Sequence, residues 1–85
     1  MSVEVERDCT VAQRLDVCGL SCPLPLLKAK QALNRLQPGD VLQVLATDAG
    51  SVRDFKAFTD QSGDQLLQAS EDEGQFTYLI RKAGA

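Results

Sequence analysis

Apolar and polar residues alternate along the chain with two periods, one typical of strands and one typical of helices. Phe76, Tyr78 and Ile80 recur at every second position, which predicts a strand. From residue 23 to residue 36 apolar side chains recur at spacings of three and four, which predicts an amphipathic helix. The predicted elements are a strand at 11–17, a helix at 23–36, a strand from 40 or 41 to 46, a helix at 51–62, and strands at 65–70 and 75–82.

The order of these elements is β-α-β-α-β-β. The first strand, first helix and second strand form a βαβ unit, in which the two strands are expected to be parallel and the crossover right-handed. The last two strands flank an acidic turn at 71–74 and are expected to form an antiparallel hairpin. The sequence therefore predicts an α/β fold with a mixed four-stranded sheet and two helices on one face.

Turn residues mark the ends of both helices. Pro38-Gly39 is a strong stop after the first helix, and Gly63 closes the second. Ser51 is expected to open the second helix, with Asp54 completing an imperfect capping box. The helix faces expected to be buried are Leu26, Ala29, Leu33 and Leu36 in the first helix, and Val52, Phe55 and Phe58 or Thr59 in the second.

In the stretch from residue 16 to residue 25, a cysteine comes directly before two closely spaced prolines. The rest of the predicted fold is organised around this stretch, because the prolines locate the start of the first helix. Proline is tolerated in the first turn of a helix, so Pro23 is expected at N1, Pro25 at N3 and Cys22 at or near the N-cap. A helix N-terminus favours a nearby anion by about 0.3–1 kcal/mol, or up to about 2 when partly buried. Cys22 is therefore predicted to be partly thiolate, which is the nucleophilic form. The alternative is an ordinary small buried cysteine.

Length and charge limit the classes of function. The chain has 85 residues, which we divide into a loose arm at 1–10 and a single domain at 11–85. The net charge of −3 argues against nucleic acid as a direct partner. No apolar run approaches 18 residues, and the N-terminus lacks the apolar region of a signal peptide, so we expect no membrane span and a cytoplasmic location.

The cysteines narrow the chemistry further. There are three, Cys9, Cys18 and Cys22, and there is no histidine. An odd count confined to the start of the chain does not fit a secreted disulfide framework, and the lack of histidine removes Cys-His catalysis. Metal binding is disfavoured because no fourth soft ligand lies nearby, so we expect neither a metal nor a cofactor. Cys9 is taken as incidental.

Cys18 leaves two interpretations open. It is either a structural residue at a strand end or a thiol that pairs with Cys22 in a protective or resolving disulfide. Such a bond needs the two Cα atoms within roughly 7 Å, which the intervening glycine turn allows.

Four charged residues are candidates for docking a partner protein. Lys28 and Lys30 lie one to two turns into the first helix, and Asp48 and Arg53 lie around the start of the second. Lys28, Lys30 and Arg53 are also explained as solvated side chains, and Asp54, which lies in the same rim, as a cap of the second helix.

The motif around Cys22 is similar to a known family signature. Leu15-Asp16, Gly19-Leu20 and the run Cys22-Pro23-Leu24-Pro25 resemble the Leu-Asp-x-x-Gly-Leu and Cys-Pro-x-Pro motifs of the TusA/SirA-like family of small sulfur carriers. The similarity extends over roughly residues 13–82. It implies a two-layer α/β sandwich with the same order of elements.

The resemblance also implies a function. In that family, Cys22 would carry a sulfane sulfur as a persulfide, loaded by a cysteine desulfurase or a rhodanese-type donor and handed to a downstream acceptor protein. Destinations in relatives are tRNA thiolation, molybdenum-cofactor enzymes and sulfur metabolism. The helix start at Pro23, Leu24 and Pro25 would support the anion, with backbone N–H groups such as that of Leu24 donating to it. The chain would act as a sulfurtransferase in a carrier role rather than by small-molecule turnover. Two departures from the family pattern are Cys18 and Asp64, the latter where many relatives have histidine.

Two other functions remain open from the sequence. A thiol redox switch would use Cys18 together with Cys22, and would be lost on Cys18→Ala. A regulatory interaction module would use Cys22 only as a helix cap, so Cys22→Ser, which keeps a good capping hydroxyl, would leave its activity intact.

Overall fold

The computed structural model of the chain describes residues 11–21 and 23–84. The predicted arm at 1–10, which includes Cys9, lies outside the described residues, and so does Cys22. The described part forms four strands and two helices: β1 (Gln13–Asp16), α1 (Leu24–Asn34), β2 (Val41–Ala46), α2 (Ser51–Ser62), β3 (Gln65–Asp72) and β4 (Gln75–Arg81).

The strands form one mixed sheet in the order β1-β2-β4-β3. β1 and β2 are parallel, with Leu15 opposite Val44, and β4 is antiparallel to both β2 and β3. β2 is an interior strand, as its aliphatic composition predicts. The predicted fold class and the order β-α-β-α-β-β are confirmed.

One hydrophobic core joins the sheet to both helices. The strands contribute alternate positions, which point to the same face of a sheet. Phe55 of α2 stacks on Tyr78 of β4 with ring centroids 4.6 Å apart. The fully buried side chains of the core include Val17, Ala29, Leu42, Val44, Phe55, Tyr78 and Ile80.

Several predicted boundaries shift by one or two residues. α1 begins at Leu24 with Pro23 as its N-cap, so Pro25 occupies N2 rather than N3. β3 continues to Asp72, which reduces the predicted acidic turn to Glu73 and Gly74. Both turn residues have positive φ, 51° and 83°, as a two-residue type I′ hairpin turn requires.

The predicted buried faces of the helices are partly correct. Ala29 and Leu33 are buried, and Leu26 and Leu36 are half-buried against the core. In α2, Phe55 and Thr59 are buried, but Val52 is 44% exposed, so its predicted burial is wrong.

The predicted capping box of α2 is also wrong. Gly50 is the N-cap residue, which places Ser51 at N1. The Ser51 hydroxyl is buried and hydrogen-bonded to the Tyr78 hydroxyl instead of capping the helix. The end of α2 is as predicted, because Gly63 adopts the left-handed conformation with φ 87° and donates its N–H to Thr59 O.

Candidate functional site

The loop between β1 and α1 lies where the parallel strands β1 and β2 both end. Val17 N–H donates to Leu45 O at 2.8 Å, which extends the sheet pairing by one residue beyond β1. Gly19 then takes φ 85°, and its N–H donates to the Thr47 hydroxyl at 2.8 Å. The loop that leads to Cys22 is therefore fastened to the loop that follows β2.

The start of α1 is fixed by its prolines. Pro25 is buried at N2, where a missing N–H costs no intrahelical hydrogen bond. Ser21 and Pro23, the neighbours of Cys22 on either side, are both exposed. Because α1 begins one residue later than predicted, with Pro23 as its N-cap residue, Cys22 comes directly before the N-cap in the sequence, within the prediction of at or near it.

The amide of Leu24 is already used. It donates to Ser21 O at 2.9 Å, so the expectation that it is free for a sulfur anion is wrong. Pro25 has no N–H to offer. Support for an anion near this end therefore depends on the dipole of the 11-residue helix rather than on a hydrogen bond from Leu24.

Cys18 is half-buried in the same loop and has two polar neighbours. Its N–H donates to Asp16 Oδ1 at 3.0 Å, and its Sγ accepts from Gln75 Nε2 at 3.6 Å. Burial raises the pKa of the Cys18 thiol, the Asp16 carboxylate raises it further, and the hydrogen bond from Gln75 opposes both. Cys18 is therefore held in its thiol form near neutral pH. The disulfide between Cys18 and Cys22 stays a prediction, because Cys22 lies outside the described residues.

The four predicted docking residues fall in two groups. Lys28 and Lys30 are exposed on α1, and the ammonium of Lys30 lies 5.4 Å from the centre of the Phe58 ring, within the range of a cation–π contact. Arg53 is exposed in the first turn of α2, and Asp48 is half-buried just before that helix.

The exposed apolar side chains of Leu24 and Leu27 at the start of α1 were not predicted. Leu24 and Leu27 lie in the first turn of α1 and are 45% and 46% exposed. The signal was in the sequence, because leucines at 24, 26 and 27 cannot all lie on one face of a helix. Their exposure leaves an apolar patch next to the proline-bounded helix start.

The start of α2 contains a polar cluster that the sequence did not predict. Ser51 and Tyr78 share a buried hydrogen bond of 2.7 Å, and Asp48 Oδ2 is buried with no hydrogen-bond partner among the described residues. Burial raises the pKa of Tyr78, the hydrogen bond with Ser51 opposes the rise, and Asp48 and Asp54 add to it.

Within residues 11–21 and 23–84, no group of three or more acidic or cysteine side chains is arranged to hold a metal ion. None of the helices in these ranges is both long and apolar enough to cross a membrane.

Comparison with known proteins assigns the chain to a family. The sequence profile described as "Sulfurtransferase TusA" matches residues 13–82. The sulfur carrier protein TusA of Allochromatium vinosum is 52% identical over 71 residues, which is 84% of this chain and 93% of that protein. The sulfur carrier protein TusA of Pseudomonas putida is 44% identical over 68 residues, or 80% of this chain and 85% of that protein.

A solved structure agrees with these sequence matches. The crystal structure of a SirA-like protein from Desulfitobacterium hafniense matches with a TM-score of 0.74 and 27% identity, covering 84% of this chain and 97% of the other. The fold and the Cys-Pro-x-Pro helix start thus define a small α/β protein of the sulfur-carrier class. The chain belongs to the TusA sulfurtransferase family, and the resemblance seen in its sequence is confirmed.

Proposed function

We propose that Cys22 accepts a sulfane sulfur from a donor protein, holds it as a persulfide and passes it to an acceptor protein. The observation that carries this proposal is membership of a sulfur-carrier family together with the Cys-Pro-x-Pro sequence at the start of α1. The two exposed neighbours of Cys22 support it, since a carrier thiol must be reached by two different proteins.

The transfer is balanced without an external oxidant. The Cys22 thiolate attacks the outer sulfur of the donor persulfide, the S–S bond of the donor breaks, and the donor leaves as a thiolate. The new Cys22 persulfide loses its proton and is held as an anion beside the positive end of α1. Attack by an acceptor thiolate on the outer sulfur reverses the exchange and restores the Cys22 thiolate.

No imidazole takes part, since the chain has no histidine. Activation of Cys22 therefore depends on its position before an 11-residue helix. Burial raises the pKa of Cys18, which lowers its thiolate fraction, and this favours the carrier over a switch in which Cys18 attacks.

The partner proteins would dock around the start of α1. Leu24 and Leu27 offer exposed apolar contact area, and the exposed Lys28 follows them on the helix. Protein interfaces commonly have an apolar centre and a polar rim, and this arrangement has that character. Arg53 and Asp48 at the start of α2 would form a second part of the docking surface.

We expect the donor to be a cysteine desulfurase or a rhodanese-type protein, and the acceptor to be the next protein of a cytoplasmic relay. tRNA thiolation, maturation of molybdenum-cofactor enzymes and sulfur metabolism are the proposed destinations.

The proposal is tested by loading the chain with a desulfurase and cysteine, removing the donor, and adding cyanide, which converts sulfane sulfur to thiocyanate. Wild type and Cys18→Ser are expected to release thiocyanate, whereas Cys22→Ser is expected to release none. Equal release from Cys22→Ser would overturn the assignment of the sulfur to Cys22.

A further inference from the structure

A concave site lies at the end of the sheet opposite the start of α1. It has a volume of about 420 Å³ and is lined by the turn at 38–39, Gly63, Gln65 and the segment 81–84. β4 runs from Gln75, which contacts Cys18, to Arg81 in this concavity. Six residue steps along a strand separate the two ends by about 20 Å. The concavity is therefore distinct from the proposed sulfur-transfer site.

Two of the lining residues, Arg81 and Lys82, are basic, and the side chain of each donates a hydrogen bond to a neutral oxygen. Arg81 Nη1 donates to Gln65 Oε1 at 3.2 Å, and Lys82 Nζ donates to Leu33 O at 2.7 Å, close to the end of α1. Within the described part of the chain, neither cation forms an ion pair. Two basic residues with no ion-pair partner among the described residues thus line the concavity, although the chain as a whole carries −3.

The carboxylates near this end of the sheet are engaged with other donors. Asp64 Oδ1 accepts the Ala83 N–H at 2.7 Å, and Asp64 Oδ2 accepts the Ser62 hydroxyl at 2.8 Å. Asp40 Oδ2 accepts the Gln37 N–H at 2.9 Å. These hydrogen bonds fix the loops around the concavity, and neither carboxylate forms an ion pair with Arg81 or Lys82.

The glycines of the lining leave space down to the main chain. A Cβ atom built at Gly39 or at Gly84 would meet nothing within 4 Å. After its bond to Gln65, the Arg81 guanidinium still has four of its five N–H donors available, in the planar arrangement that suits phosphate and carboxylate oxygens. The volume also falls in the range of small-molecule sites, roughly 300–1,000 Å³.

From this geometry we propose that the concavity formed by Arg81, Lys82 and the surrounding glycines binds a small molecule carrying phosphate or carboxylate groups. Arg81 forms the directional contacts, and Lys82 adds charge while it keeps its hydrogen bond to Leu33. The proposal is independent of sulfur transfer, because it uses neither Cys22 nor the start of α1.

Pyrophosphate and citrate, as separate probes, distinguish phosphate from carboxylate chemistry in titrations followed by backbone amide chemical shifts at constant ionic strength. We expect saturable shifts at Gly39, Gly63 and Gly84 with at least one of the two probes. Shifts that do not saturate with either probe, or that spread evenly over the surface, would overturn the proposal.

Substitutions then locate the binding contacts. Arg81→Gln is expected to weaken binding about tenfold or more, the effect of losing a charge-assisted hydrogen bond. Arg81→Lys, which keeps the charge but loses the planar array of donors, is expected to bind with intermediate affinity. The matched control Arg53→Gln at the other end of the fold is expected to bind as wild type. Unchanged affinity in both Arg81 variants would contradict the proposal.

Discussion

The hydroxyl groups of Ser51 and Tyr78 lie 2.7 Å apart in a buried hydrogen bond that joins the first turn of α2 to β4. The Tyr78 ring also stacks on Phe55 of the same helix. This contact orients the start of α2 against the sheet, and with it the loop that holds Asp48.

Removing one partner of this hydrogen bond is expected to destabilise the fold. Tyr78→Phe leaves the Ser51 hydroxyl buried without its partner, which costs about 1–3 kcal/mol of the free energy of unfolding. The double variant with Ser51→Ala is expected to cost less than the sum of the two single changes, because both remove the same bond. Urea denaturation measures the difference, and Ser70→Ala, an exposed serine in β3, is the control, expected within about 0.5 kcal/mol of wild type.

Tyr78 also predicts how stability depends on pH. It is the only tyrosine, so its ionisation can be followed by ultraviolet absorbance. Burial raises the pKa of Tyr78 in the folded chain, so the folded state binds the phenolic proton more tightly than the unfolded state does. The free energy of unfolding is therefore expected to fall as the pH rises above about 10, the ordinary tyrosine pKa. A titration midpoint at or below the ordinary value would contradict this.

The environment of Cys18 predicts low reactivity. In a Cys9→Ser, Cys22→Ser background, alkylation of Cys18 by iodoacetamide near pH 8 is expected to be slower than that of a free cysteine, because burial and Asp16 raise the pKa of this thiol. Gln75→Ala is expected to slow it further, since the Gln75 hydrogen bond lowers that pKa. The rate of alkylation is measured by mass spectrometry. If Cys18 reacts faster than free cysteine, Cys18 is again a candidate for the attacking thiol.

The exposed leucines of α1 predict a loss of docking without a loss of folding. Leu24→Ser with Leu27→Ser is expected to raise the KM for the chain in sulfur transfer from a desulfurase by about tenfold, with kcat little changed, since an apolar anchor contributes on the order of 1–2 kcal/mol to an interface. The matched control is Leu67→Ser in β3, also partly exposed at 36%. An equal rise in KM for the control, or no rise for the α1 variant, would argue against docking at this patch.

Local sequence signals were sufficient for most of the fold. The Pro-x-Pro pair located the start of α1 to within one residue, and Gly63 located the end of α2, because each acts through its own backbone geometry. Alternation in β4 predicted the core positions Tyr78 and Ile80.

Long-range contacts account for what the sequence did not predict. Serine is favoured at helix N-caps, and Ser51 was predicted to cap α2 for that reason. Its hydroxyl is instead buried in a hydrogen bond with Tyr78, which lies 27 residues away in the sequence. Leu24 was expected to offer a free amide, and a hydrogen bond to Ser21 uses it. The exposure of Val52 depends on how α2 is rotated about its axis relative to the sheet. The spacing of apolar residues along the helix does not determine this rotation.

The measurement that tests the central claim most directly is the intact mass of the chain after incubation with a cysteine desulfurase and cysteine. Wild type and Cys18→Ser are expected to gain the mass of a sulfur atom, which peptide mapping places on Cys22 and which a reductant removes. Cys22→Ser, folded as judged by its circular dichroism, is expected to gain none. A gain of that mass by Cys22→Ser, or a sulfur mapped to another cysteine of the wild type, would contradict the account.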